Sequence, residues 1–296
     1  MDKSPPQPTK HATAWGIACG AGAALCWALG FVAARHGVTS GMSPIVIALH
    51  RYVWPGLAFF PMVAAHNFRD LRLIGLGKAM ALALTGGLPL ALFSYFGYVL
   101  VPLGHGALIQ PACAAVGGLT LAALILKEPL PPRRILGALV IVAGLAVIGT
   151  EALRTMGRSG VIGDLCFVAA GALFAIFGVL LRQWRLPPMR AAAITSVVSM
   201  AGLPLLAFSF DNMIAAGFWE NLLQAVVQGA LAGAGAVYLF TQAVILLGAG
   251  RAVLFPSLVP PFTLLIGFFA LGEMPSIDQI VGLIIVLIGF QLTQKA

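Results

Sequence analysis

Long apolar stretches alternate with short polar, glycine- or proline-containing breaks along almost the whole chain of 296 residues. A helix that spans a membrane needs about 20 consecutive apolar residues. Ten stretches of about that length are predicted to be helices: 13–34, 44–65, 79–100, 104–126, 134–150, 160–181, 191–210, 221–246, 252–272 and 277–293. The breaks between them are too short to hold a soluble domain. The pattern therefore predicts an all-α integral membrane protein with ten transmembrane helices.

The second half of the chain repeats the first. One proline, one glutamate and two glycines recur in the same order, each 145 residues later. The four are Pro111, Glu128, Gly137 and Gly144 in the first copy, and Pro256, Glu273, Gly282 and Gly289 in the second. Such recurrence indicates an internal duplication. It predicts two five-helix repeats, at 13–150 and 151–296, after a cytoplasmic tail at 1–12.

A fainter similarity links the first helix of each copy. Trp27 stands eight residues before Arg35, and Phe174 stands eight residues before Arg182. Gly16 and Gly163 also correspond, at the same offset of 147 that separates the two arginines. The duplication is therefore predicted to begin with the first helix of each half.

The distribution of basic residues predicts the orientation of the chain. If the N-terminus is cytoplasmic, 13 of the 17 Lys and Arg residues fall on the inner side and 3 on the outer side. Cytoplasmic loops of membrane proteins carry such an excess, so both termini are expected in the cytoplasm. Because five helices per copy is an odd number, the second copy must be inverted. Inverted repeats around a central cavity are typical of transporters that work by alternating access.

Composition excludes a soluble protein. Hydrophobic residues make up 60% of the chain and charged residues only 9%, whereas soluble domains carry about 25% charged residues. The net charge of +8 is explained by topology, not by binding of nucleic acid. The four cysteines lie in apolar stretches without metal-ligand spacing, so we expect neither a metal nor a cofactor.

Few ionisable residues are predicted to lie within the membrane. His50 and Arg51 sit in the second helix, where a charge is costly and often functional. The alternatives are an interhelical hydrogen bond for His50 and snorkelling for Arg51. The acids are placed at helix ends or in loops, with Asp164 a few residues into the sixth helix. This placement predicts uniport or exchange, with His50 as the titratable residue best placed for proton coupling.

Two elements of the repeated motif receive separate predictions. Glu128 and Glu273 each precede a helix start, where a carboxylate would cap free N–H groups. Pro111 and Pro256 lack an N–H donor and free a carbonyl within an apolar stretch. At matching places in two inverted halves, these prolines are predicted to form a gate or hinge; a purely structural kink is the alternative.

The motifs resemble the EamA-type branch of the drug/metabolite transporter superfamily. The resemblance rests on Pro111, Leu126-Lys127-Glu128 and the glycines that follow, and on the second copy ending Leu271-Gly272-Glu273. It implies that helices one to four and six to nine surround a central cavity, with the fifth and tenth peripheral. It also implies a multi-pass protein of the bacterial inner membrane, most similar to aromatic amino acid exporters.

We predict that aromatic and amide side chains line the cavity and bind a small metabolite, most simply amino acids including aromatic ones. The predicted substrate-binding residues are Trp27, His50, Tyr95, Tyr98, Gln110, Phe174, Phe177, Tyr238 and Gln242. The expected partners are this substrate and the lipid bilayer, with a monomeric protein and no nucleic acid. The alternatives are a proton-coupled exporter of drugs or other metabolites, a channel, and an intramembrane enzyme; no nucleophile–base, metal or buried acid-pair motif is recognised for the last.

Overall fold

The structure, a computed structural model, describes residues 10–65, 73–252 and 254–294. Within these ranges the regular secondary structure is helical throughout. Residues 1–9 of the predicted tail lie outside the described part, and α1 already begins at Lys10. The all-helical prediction is therefore confirmed.

Proline and glycine residues set the helix boundaries in the first half. Pro44 opens α2, and Gly87 separates α3 from α4 within one predicted apolar stretch. The helices are α1 Lys10–Thr39, α2 Pro44–Ala65, α3 Leu76–Gly86, α4 Leu88–Leu100 and α5 Leu103–Ile125. Pro111 lies inside α5 without ending it. The element bounds follow the apolar pattern to within a few residues, apart from the earlier start of α1 and its extension to Thr39.

The second half is less regular. Its helices are α6 Pro132–Gln183, α7 Pro188–Ser199, α8 Phe210–Gln224, α9 Ala236–Leu247, α10 Ala249–Ala252, α11 Val259–Leu271 and α12 Ile277–Gln294. Met200–Phe208 and Phe255–Leu258 are 3₁₀ turns, and Ala225–Gly235 is a π-helix. Helix α8 begins eleven residues before the predicted start at residue 221, but Gly217 has φ 78° and ψ 172°, which is outside the helical region. The part of α8 after this break begins within a few residues of the predicted start. Residues 211–216 are helical, although they lie outside the predicted helices.

The longest helix is broken by one glycine. At 52 residues, α6 would extend about 78 Å, which is more than twice the hydrocarbon thickness of about 30 Å. Gly157 has φ 62° and ψ −141°, a conformation outside the helical region, which only glycine adopts readily. The break divides α6 into a part before and a part after Gly157.

Eight helical segments of the described chain are long and apolar enough to cross a membrane, α6 being one of them. Phe255–Leu271 is apolar but shorter. Large hydrophobic side chains cover the outer surface, and Trp15 and Trp219 are 67% and 77% exposed. Such a surface would be unstable in water but is suited to lipid. The fold is that of a membrane protein.

Candidate functional site

A buried network of polar groups joins the two halves near the middle of α1. The Gln228 side chain donates from Nε2 to the carbonyl oxygen of Gly30 at 2.7 Å and accepts at Oε1 from the Tyr95 hydroxyl at 2.9 Å. Gln228 is fully buried, and it lies in the π-helix, whose altered hydrogen bonding is frequent at functional sites. A Cβ built on Gly30 would lie 3.5 Å from Nη1 of Arg51. We call Gly30, Arg51, Tyr95 and Gln228 the central cluster.

Aromatic side chains flank this central cluster. Trp27, one helical turn before Gly30, packs on Phe240 with a ring-centroid distance of 5.6 Å. The ring of Tyr98, one turn after Tyr95, packs on Phe167 at 4.8 Å. The arrangement places apolar ring surfaces close to a cationic and an amide group. Such a combination suits a ligand with one apolar and one polar end.

Three of the other predicted binding residues make buried contacts. Gln110, the residue before Pro111 in the chain, accepts a hydrogen bond from the Ser94 hydroxyl at 2.9 Å. Tyr98 is fully buried, and its hydroxyl has no hydrogen-bond partner among the described residues. His50 is buried with both ring nitrogens bonded: Nδ1 accepts from Trp54 Nε1 at 2.8 Å, and Nε2 bonds the Asn221 amide oxygen at 3.0 Å.

The tautomer of His50 follows from these contacts. Because Nδ1 accepts the Trp54 proton, Nε2 must carry the hydrogen and donate it to Asn221. The amide nitrogen of Asn221 donates to the carbonyls of Met213 and Gly217, which leaves its oxygen as the acceptor. In this state His50 ties α2 to α8. That contact is the interhelical alternative considered for it from the sequence.

The remaining predicted binding residues lie further from the central cluster. Phe174 is 50% exposed and stacks on Phe177, which packs against Gly86. Tyr238 is 52% exposed and lines an apolar groove of 390 Å³ with Trp54 between α2, α7, the π-helix and α9. Gln242 is half-buried in α9. The structure thus places Tyr95 in the central cluster and Trp27 one helical turn from Gly30 on α1, whereas Phe174, Phe177 and Tyr238 lie elsewhere.

The two repeated prolines occupy different local structures. Pro111 is half-buried within the continuous helix α5. Pro256 lies in the 3₁₀ turn Phe255–Leu258, between the one-turn helix α10 and α11. The same sequence motif therefore adopts a helical conformation in one copy and a broken one in the other.

The repeated glutamates bind the arginines at the ends of the corresponding helices. Glu273 accepts from Arg35 Nε at 2.6 Å, and Glu128 forms the equivalent ion pair with Arg182. Arg35 also donates to the carbonyl of Tyr98. Each pair joins one copy to the other. The predicted capping of the following helix is not what the structure shows: Glu273 instead accepts from the backbone N–H of Leu103, the first residue of α5, at 2.8 Å.

These two ion pairs lie at opposite ends of α5. Glu273 binds the first residue of this 23-residue helix, and Glu128 follows its last residue by three. At 1.5 Å per residue the ends are about 34 Å apart. Arg182 lowers the pKa of the Glu128 carboxyl through its hydrogen bond. This pair therefore persists at neutral pH and is lost only as the pH falls through that lowered pKa.

A buried histidine lies between two acids near the first of these ends. His105 is fully buried, with Nδ1 at 2.8 Å from Asp164 Oδ1 and Nε2 at 3.7 Å from Glu151 Oε2. Gln279 donates to the other oxygen of Glu151 at 3.2 Å. Glu151 and Asp164 are 7% and 8% exposed. The sequence-based placement of Glu151 at a helix end or loop was wrong, as was the expectation that no buried acid pair exists.

Sequence reasoning missed the residues that matter most here because their partners are distant in the chain. His105 and Glu151 carry no motif, and Glu151 falls just beyond the end of the predicted helix 134–150. Gln228 and Asn221 stood in or beside a predicted helix without distinguishing features. One available signal was the rarity of such groups in apolar stretches, since a histidine or amide at membrane depth needs a partner.

Comparison with known proteins gives a consistent result. The model of the EamA-like transporter family matches residues 14–150 and again residues 161–293. The "Uncharacterized transporter YyaM" of Bacillus subtilis (strain 168) is 28% identical over 201 residues, which span 62% of this chain and 62% of that relative. An "Uncharacterized transporter" of Archaeoglobus fulgidus is 24% identical over 91% of this chain and 95% of its own. A crystal structure of a further protein, 19% identical, has the same fold, with a TM-score of 0.60 over 95% of this chain and 97% of that one.

Proposed function

The chain belongs to the EamA-like transporter family, and we propose that it moves small molecules by alternating access between two inverted five-helix copies. The family and the transporter-named relatives indicate a transporter rather than an enzyme. In alternating access, a central site opens to one side of the membrane at a time. Each side then needs a contact that closes it and can be broken.

The observation that carries this proposal is the pair of equivalent ion pairs. Arg35–Glu273 and Arg182–Glu128 use corresponding residues of the two copies, yet they lie at opposite ends of α5. Equivalent contacts at opposite ends are what an inverted duplication produces. Both pairs are formed in the structure, and we propose that transport breaks them one at a time. We call Arg35–Glu273 the first latch and Arg182–Glu128 the second latch.

Helix packing supports the inverted arrangement. A Cβ built on Gly137 would lie 2.8 Å from the oxygen of Gly289, and one on Gly144 would lie 3.1 Å from the oxygen of Gly282. The contacts pair the start of one segment with the end of the other, so α6 and α12 run antiparallel there. Since these are equivalent segments of the two copies, antiparallel packing supports inversion. Counting α6 as two spans and adding Phe255–Leu271 gives the proposed ten.

The central cluster supports an amphipathic substrate. The guanidinium of Arg51 suits a carboxylate, which it can bind with two hydrogen bonds. Trp27 lies one helical turn before Gly30 on α1. Its ring offers a surface for an apolar or aromatic side chain of the substrate. We therefore propose amino acids, including aromatic ones, as the substrate class. Export across a bacterial inner membrane, with both termini cytoplasmic, rests on the resemblance and on the distribution of basic residues.

The energy source needs a revised proposal. The sequence predicts uniport or exchange because it places the acids at helix ends or in loops. The buried group of His105, Glu151 and Asp164 removes that reason and favours the proton-coupled alternative, for amino acids or for drugs and other metabolites.

Counterflow in liposomes tests the proposed function. Purified protein is reconstituted into vesicles loaded with one unlabelled amino acid, and uptake of a labelled one is followed across a panel that includes phenylalanine, tryptophan and tyrosine. We expect labelled aromatic amino acids to accumulate transiently, as a carrier with one alternating site requires. Pro111→Ala and Pro256→Ala should slow this exchange without loss of membrane insertion, because each proline marks a place where a helix can bend. Absence of counterflow for the whole panel would exclude amino acids, and full activity in both variants would exclude the gate or hinge.

A further inference from the structure

We propose that His105, Glu151 and Asp164 form a proton-binding site through which substrate movement is coupled to movement of a proton. The proposal rests on the proposed transport function and extends it by naming the coupling ion and the residues that hold it. The corresponding positions of the other copy are not ionisable: His105 corresponds to Gly250 at the offset of 145, and Asp164 to Ile17 at the offset of 147, so this site belongs to one end of the molecule only.

The three side chains cannot all be satisfied without an additional proton. If Nδ1 of His105 donates to Asp164 at 2.8 Å, then Nε2 of the neutral ring is an acceptor. It faces Glu151 Oε2, another acceptor, at 3.7 Å. Nε2, Oε2 of Glu151 and Oδ2 of Asp164 are all buried without a hydrogen-bond partner among the described residues. A proton placed on Nε2 or on Glu151 would turn this contact between two acceptors into an attractive contact between a donor and an acceptor.

Charge favours the same proton. A neutral His105 with two ionised carboxylates carries two negative charges in a buried place, where each unpaired charge is costly. One added proton leaves a single negative charge shared over the three groups. Because the groups interact, the proton belongs to the trio and not to one residue. A metal ion is not supported, since no metal-binding group of three or more His, Cys, Asp or Glu side chains occurs in the described part.

The trio has a route to solvent and to the first latch. A half-polar pocket of 310 Å³ is lined by Glu151, Gln279, Gly104, Leu103, Glu273 and Arg35. Of the three residues of the trio, Glu151 is the one that lines this pocket, so a proton from the pocket would enter the trio through Glu151. Gln279 bonds Glu151 and packs directly on Gly104, and the neighbouring residue Leu103 bonds Glu273. A change in the protonation of Glu151 can therefore affect the first latch through a short chain of contacts.

The charged and titratable groups around the trio are few. The other groups near this end of α5 are Arg35, Tyr98, Glu273, and the exposed pair Arg154 and Asp278. Arg35 is bonded to Glu273 and Arg154 faces Asp278 at 3.9 Å. In the part of the chain that the structure describes, none of these five is hydrogen-bonded or ion-paired to the His105 ring. Glu151 and Asp164 are therefore the titratable groups in contact with the His105 ring, and a proton on the ring would be shared with them.

Proton flux measured beside counterflow tests the site. Vesicles containing purified protein and a trapped pH-sensitive dye are given a phenylalanine gradient, and counterflow of phenylalanine is measured in the same preparation. For the wild type we expect both phenylalanine exchange and a phenylalanine-driven pH change. His105→Gln, Glu151→Gln and Asp164→Asn should keep exchange but lower the pH change to that of protein-free vesicles. Asp278→Asn, which removes an exposed carboxylate at the same end, should keep both.

The outcomes separate failure of this site from failure of the proposed function. Exchange without any pH change in the wild type overturns the proton site, as does a wild-type pH change in the three variants. If phenylalanine is not exchanged at all, infrared spectra recorded without substrate over a range of pH decide instead. A carboxyl band that changes in this range, and is lost in Glu151→Gln but kept in Asp278→Asn, supports the site. A change that persists in Glu151→Gln, or no change in the wild type, overturns it.

Discussion

Individual polar residues hold the interior of this bundle together. Gln228 bridges Tyr95 on α4 and the backbone of Gly30 on α1, and His50 links α2 to Asn221 on α8. In an apolar interior each of these groups would be costly without its partner. These residues therefore fix helix positions, and Gln228 and Tyr95 are also part of the central cluster.

Two tyrosines one turn apart allow this contribution to be measured. Tyr95→Phe removes the hydroxyl that donates a hydrogen bond to Oε1 of Gln228. Because this oxygen is then left unpaired, the variant should lose about 1–3 kcal/mol of unfolding free energy. Tyr98→Phe removes a hydroxyl that has no partner among the described residues, so it should change stability little. Thermal unfolding in detergent compares the two variants. A larger loss for Tyr98→Phe than for Tyr95→Phe would contradict the assigned hydrogen bonds.

The sequence allowed some of these residues to be identified but not their partners. Tyr95 and Gln110 stood out because polar aromatic and amide groups are unusual in apolar helices. Their partners could not be inferred, since Gln228 is 133 residues from Tyr95 and Asp164 is 59 from His105. Contacts of that separation depend on helix packing, which a local pattern does not encode. The ion pairs were missed for the same reason, although the repeat had already matched the glutamates and the arginines.

At the scale of elements, small residues decide which helices meet. Gly137 and Gly144 on α6 pack against Gly289 and Gly282 on α12, with backbone carbonyls close to each missing Cβ. In lipid, such close backbone approach replaces the hydrophobic effect as a source of helix association. The apolar pattern predicted these helices well, because glycine spacing and length are local properties. It did not predict the short helical part of α8 before Gly217, nor that the predicted helix 221–246 is a π-helix over Ala225–Gly235.

One substitution on α6 tests this packing against an internal control. A Cβ on Gly137 would meet the Gly289 oxygen at 2.8 Å, whereas one on Gly149 has nothing within 4 Å. Gly137→Ala should therefore cost about 1–3 kcal/mol through overpacking. Gly149→Ala should change the unfolding free energy by less than about 1 kcal/mol, as helix propensity alone would. Equal unfolding temperatures for the two variants would show that α6 and α12 do not pack through these glycines.

At the scale of the whole molecule, the duplication places one latch at each end and the central cluster between the two copies. The first latch is the more buried, with its Arg35 and Glu273 side chains 17% and 25% exposed, against 53% and 34% for Arg182 and Glu128. It also adjoins the pocket that leads to Glu151. In the proposed mechanism, the two latches differ in their surroundings, because the trio of His105, Glu151 and Asp164 lies next to the first latch only. This difference would give the transport cycle a direction.

Thiol labelling from each side of the membrane tests the central claim of alternating access most directly, and it needs no knowledge of the substrate. A single cysteine at Tyr95→Cys is placed in a chain whose Cys19, Cys26, Cys113 and Cys166 are replaced by alanine, and an impermeant thiol reagent is applied to either face of oriented vesicles. We predict that Glu273→Gln, which breaks the first latch, raises labelling from one face and lowers it from the other. Arg182→Gln, which breaks the second latch, should shift labelling in the opposite sense, and Asp278→Asn should leave it unchanged. Shifts in the same sense for both latch variants, or no shift for either, would contradict the account.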